Sequence, residues 1–149
     1  CPMISRQRFE AALNAGGVTA EVVDAPVDRP NAANEVLGRA SVSCCVRDAA
    51  GATVARIRAT DFGADIDDEL AFLKKVFDPI EPLPAEPGAT SGRGCGDVIG
   101  ATACLAYWSF DGLIVYVDGE SSRVDKEAAS TVLIDVLPDA LAGLGAVSN

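Results

Sequence analysis

Apolar positions recur along the chain in two rhythms, one helical and one alternating, and these divide it into short amphipathic pieces. From Ile4 to Ala15, Phe9, Ala12 and Leu13 fall on one helical face; Ser5 is placed to cap the helix, and Gly16-Gly17 ends it. Val18 to Val23 alternates as a strand, and a loop containing Pro26, Pro30 and Asn34 follows. Ala40–Val46 and Thr53–Ala59 form the arms of a hairpin around a turn at Asp48–Gly51. Asp65–Phe77 returns to the helical rhythm through Ile66, Leu70, Leu73 and Phe77, with Lys74 and Lys75 at the negative end of the helix. A second hairpin joins Ile99–Phe110 to Leu113–Val117 through Asp111-Gly112, a strong turn signal. The last helix runs from Val124 to about Leu144, with Ala128, Val132, Val136, Ala140 and Leu144 at i, i+4 spacing. Ser122 and Asp125 resemble a capping box at its start, and Pro138 is expected to kink or interrupt it.

Together these pieces predict an α+β fold, with an antiparallel sheet of two hairpins plus an extra strand and helices packed on one face. The 149 residues fit one domain, 1–149. Between the halves, 78–94 is rich in proline and glycine and reads as a long internal loop, with Pro79, Pro82, Pro84 and Pro87 as candidate contact residues. Aromatic residues make up only 5%, which predicts a core of small aliphatic side chains. Trp108 and Phe110 share one strand face and Tyr107 the other. The Trp108 side is expected to be core; an exposed Trp108 would instead anchor an interface.

Charge and composition narrow the chemistry. A net charge of −10 repels nucleic acid and anionic lipid alike. With no histidine, the chain cannot build a Ser-His-Asp or Cys-His nucleophile, and it lacks the commonest transition-metal ligand. The acidic run Asp61–Glu69 has its glycine in the wrong place for a calcium loop and suits the first turn of a helix. Gly92-Arg-Gly-Cys-Gly96 has no Walker lysine after it and reads as flexible loop. No metal or cofactor is expected, and no catalytic residue. An enzyme that works with acids alone, for example Asp97, Asp111 and Asp118 gathered near the second hairpin, is the remaining catalytic reading.

The five cysteines stand at 1, 44, 45, 95 and 104, with no C-x-x-C pair, which points to disulfides in an oxidising compartment. Cys95–Cys104 is the favoured bridge, with Cys1 joined to Cys44 or Cys45; the alternative links Cys44 or Cys45 to Cys104. Adjacent on a strand, Cys44 and Cys45 point to opposite faces, so at most one is expected in the core. Only Arg47 lies near enough in sequence to lower a thiol pKa, so a redox-active pair is not favoured. The start at Cys1 is either an arbitrary boundary or the lipid-modified first residue of an exported protein. No stretch approaches the roughly 20 apolar residues of a membrane span.

The opening cysteine, the pair Cys95 and Cys104 flanking a strand that continues as AYWSFDGLIVYVDG, and the Ala/Val/Asp/Arg-rich background resemble the small exported domains and lipoproteins of high-GC actinobacteria. That resemblance implies a sheet backed by helices, in some members with a ligand cavity. The expected function is a non-catalytic, secreted or lipid-anchored cell-envelope protein, an accessory or docking subunit for a protein partner at the membrane surface. Contact with the membrane itself would come only through Cys1. The alternatives are a soluble sensor or carrier of a small apolar ligand, and the acid-only enzyme.

Overall fold

Alternation in the central stretches builds strands, and the helical stripes cover them from both sides. The computed structural model describes residues 6–15, 21–24 and 41–148. Helix α1 (Arg6–Ala15) precedes strand β1 (Glu21–Asp24) and the hairpin β2 (Ser41–Arg47) and β3 (Thr53–Asp61). A 3-10 turn (Gly63–Asp65) leads into α2 (Ile66–Val76). Then come β4 (Glu81–Pro82), β5 (Thr90–Val98), β6 (Ala101–Phe110), β7 (Leu113–Glu120) and α3 (Lys126–Ser148). The sheet order is β1-β2-β3-β7-β6-β5-β4, antiparallel throughout. Two meanders, β1–β3 and β4–β7, therefore meet at a β3–β7 seam. The expected Ser5 cap and the Pro26–Asn34 loop lie outside the described residues.

The first hairpin turns where Asp48 predicts it. Its carboxylate accepts from the backbone N–H of Ala50 at 2.9 Å and of Ala52 at 3.0 Å, and Arg123 approaches it to 2.9 Å. The Ala52 N–H, followed by the other donors, holds this carboxyl below its usual range. The second expected turn is also present, with Asp111 and Gly112 in left-handed backbone at φ 49° and 81°.

Because strand side chains alternate between faces, the sheet has two cores. On one face Phe9, Ala12 and Leu13 of α1 and Val132, Leu133, Val136, Ala140 and Leu144 of α3 pack on Val46, Ile57, Ala106, Trp108 and Val117. On the other, Leu73 of α2 and Phe77 meet Phe62, Leu105, Tyr107, Ile114 and Tyr116. The α+β class and antiparallel sheet are those expected. Helices on one face describes α1 and α3 only, since α2 covers the opposite side. Cys44 and Cys45 are both buried although they point apart: Cys44 joins the core under α1 and α3, while Cys45 faces the other side and belongs to neither core cluster.

Three local expectations need correction. The cap of α3 is Asp125, not Ser122: its carboxylate accepts from the Ala128 N–H at 2.8 Å, the reach of an N-cap to the third helical residue. Helix α3 runs on through Pro138. Ile134, four residues earlier, is exposed like Pro138, so water can take the carbonyl that proline leaves without a donor. That helix is also long and apolar enough, by length and composition, to cross a membrane over Lys126–Gly145, with 44% of that window buried here. In this fold its apolar face is the core against α1 and the sheet.

Candidate functional site

The largest departure from the sequence reading lies in 78–94, where β4 and the first half of β5 replace the expected loop. Gly92, Gly94 and Gly96 alternate along β5, so all three face the α2 side, and the chain leaving α2 presses onto them. A Cβ at Gly94 would lie 2.5 Å from the carbonyl oxygen of Phe77, and one at Gly96 only 1.9 Å from that of Val76. The glycines therefore serve close backbone approach and not flexibility.

From there the segment crosses the sheet edge to the other face. Ile80 belongs to the α2-side core, while Glu81, opposite Arg93 in the β4–β5 pairing, reaches the α3 side. Arg93 Nε donates to Glu81 Oε2 at 2.9 Å and its Nη1 to Ser130 Oγ at 3.2 Å, and Lys126 donates to Glu81 Oε1. Lys126 first, then Arg93, holds the Glu81 carboxyl below its usual range. Beyond β4 the Leu83 N–H donates to the Ser91 carbonyl at 3.0 Å, and Trp108 Nε1 donates to Glu86 Oε1 at 3.0 Å. The segment is thus a strap, tied at both faces, over the open edge of β5. Covering an edge in this way, with a proline in the outermost strand, blocks pairing with other chains.

On the α2 side the strap walls a cleft of about 600 Å³, with Lys74, Pro79, Ile80, Leu83 and Ser91 around it and Tyr107 at its base. Burial raises the Tyr107 hydroxyl pKa, so it stays protonated and able to donate. Pro79, Pro82, Pro84 and Pro87 are all exposed along the strap. A second groove of about 550 Å³ lies over the other half of this face, lined in part by Ser43, Cys45, Arg47, Arg56, Thr102 and Asp118. In it Arg56 pairs with Asp118 at 3.3 Å, and the buried Ser43 hydroxyl has no hydrogen-bond partner among the described residues.

The other sequence candidates divide clearly. Cys95 and Cys104 are bridged, directly opposite in the β5–β6 pairing. Cys44 is also disulfide-bonded, to a partner outside the described residues, and Cys45 is free. Cys1 lies outside the described residues. Trp108 is only 7% exposed, stacked 6.2 Å from Phe110 and held by Glu86, so it is a core residue and not an interface anchor. The three aspartates are not gathered: Asp97 and Asp111 stand at opposite ends of β6, and Asp118 is paired with Arg56. Tyr107, Ile80, Leu83 and Glu86 were missed as site residues. The available signal was the alternate-glycine pattern, which reads as a strand once its period of two is noticed.

Trp108 is the sole tryptophan, so its emission reports on the strap. Glu86→Ala should shift that emission to the red and speed proteolysis within 83–89, at a stability cost of about 1 kcal/mol for the lost hydrogen bond. Unchanged emission and cleavage would show that Glu86 does not hold the strap. Compared with known protein families, curated sequences and solved structures, the chain matches none.

Proposed function

We propose that the protein is a non-catalytic accessory or docking subunit of a membrane-associated complex in the cell envelope, binding its partner through the strap and its cleft. The observation that carries this reading is the strap itself, four exposed prolines on a segment fixed at both faces and walling an open cleft. A surface already ordered before binding loses little entropy when a partner covers it. Proline adds to this by restricting the free chain.

An extracytoplasmic location is part of the proposal, and the Cys95–Cys104 bridge supports an oxidising compartment.

The test leaves the strap's anchors in place and changes only its outer side, because removing the whole segment would uncover Ile80 and the β5 edge. In native envelope extracts, gently solubilised and sized, the wild-type protein should run in an assembly well above its own 15.3 kDa. Leu83→Asp with Pro84→Ser should run free while melting like the wild type. A wild-type protein that runs free, or a variant that stays assembled, removes the docking reading.

A further inference from the structure

Two turns of this sheet share a backbone shape but not a residue type. At the β6–β7 tip Asp111 and Gly112 have φ 49° and 81°; at the β5–β6 tip Ile99 and Gly100 have φ 47° and 80°. Aspartate, asparagine and glycine tolerate this left-handed backbone, whereas a β-branched side chain crowds its own main chain there. Nothing in the fold compensates Ile99, which is fully exposed at 101%. Its neighbour Val98 is 37% exposed, and Ala101 across the turn is exposed as well. The tip is held from below by the Cys95–Cys104 bridge and by the Thr102 hydroxyl, which donates to Asp97 at 3.0 Å. Strain persists where such surroundings over-determine it, and it gathers at sites of function.

We propose that Val98 and Ile99 form a prong that enters an apolar pocket, rimmed by Lys or Arg, on a partner protein. An exposed isoleucine at a costly backbone position weakens the free protein in two ways, and burial in a partner recovers its apolar surface. A rim of positive charge suits the acids at the base of the prong, Asp97 and Glu120, and the net charge of −10. A lipid surface fits poorly. Even a single myristoyl chain binds membranes only marginally, and one isoleucine offers fewer carbons on a chain that anionic lipid repels. The prong lies at the opposite end of β5 from the strap, so this contact is separate from the docking surface proposed above and can stand or fall without it.

The experiment places photoreactive p-benzoylphenylalanine at Asp97, with a control at Asp111, and cross-links in intact cells of the native host. The protein joined at Asp97 is identified, purified and titrated with the wild-type chain and with Ile99→Asn. The expected result is an adduct from Asp97 and not from Asp111, and binding at least tenfold weaker for Ile99→Asn. That same variant should melt about 2–4 °C above the wild type, because asparagine accepts the turn. A merely decorative isoleucine would not give loss of binding together with gain of stability. No adduct at Asp97, equal binding by the two chains, or a variant that melts at or below wild type overturns the proposal. So does wild-type binding to phosphatidylcholine–phosphatidylglycerol vesicles that Ile99→Asn abolishes, since the prong would then be a membrane contact.

Discussion

Gly96→Ala should lower the melting temperature by about 6–12 °C. The added Cβ would sit 1.9 Å from the Val76 carbonyl oxygen, 2.9 Å from the Val76 carbonyl carbon and 3.2 Å from the Phe77 Cα. All three are backbone atoms, so no side chain can rotate out of the way. Either the end of α2 lifts, uncovering Leu73 and Phe77, or β5 bows away from it. Overpacking against backbone costs about 3 kcal/mol, and a chain of this length loses about 2–4 °C per kcal/mol. Gly145→Ala is the control. Nothing lies within 4 Å of that position, and alanine inside a helix is neutral to stabilising by up to about 1 kcal/mol. A Gly96→Ala protein that melts within a degree or so of wild type would mean that α2 does not pack onto β5 as described.

The double variant Cys95→Ala, Cys104→Ala should lose about 2–3 kcal/mol, seen as a fall of about 5–10 °C. The bridge closes a short loop, with a sequence separation of 9, yet its effect is not small. The loop it closes carries the unfavourable Ile99 turn, so the free hairpin has little tendency to close by itself. Calorimetry of the two proteins, each with the Cys44 bridge intact, isolates this contribution. A change below about 0.5 kcal/mol would show that the β5–β6 pairing holds itself without the covalent link.

Periodicity was a good guide wherever burial was one-sided. Phe9, Ala12 and Leu13, the stripe Leu73 and Phe77, and the split of Trp108 from Tyr107 all appear on the faces their spacing predicts. It misled where residue chemistry was used against its usual meaning. Ile99 reads as the first residue of a strand because β-branched side chains favour strands, yet it occupies a turn. Gly92, Gly94 and Gly96 read as loop because glycine is flexible, yet they pave a strand for a close neighbour. Prolines read as linker, yet Pro82 sits in an edge strand where its missing N–H faces outward. The cleft was invisible for the same reason, since its walls come from the segment taken to be unstructured. Helices on both faces were not legible, because amphipathic stripes alone do not say which side of a sheet they cover.

The seam between β3 and β7 has a consequence for how the chain reaches this state. Both meanders form from near neighbours in sequence, but Asp61 must find Leu113 and Ala55 must find Gly119 before the centre of the sheet exists. Closing so large a loop is slow to be rewarded, and topologies dominated by such distant partners fold in milliseconds to seconds rather than microseconds. The rate-limiting event is then the meeting of two preformed halves. Substitutions at the seam, such as Ile57→Val, and in the preformed β5–β6 hairpin will both chiefly slow folding.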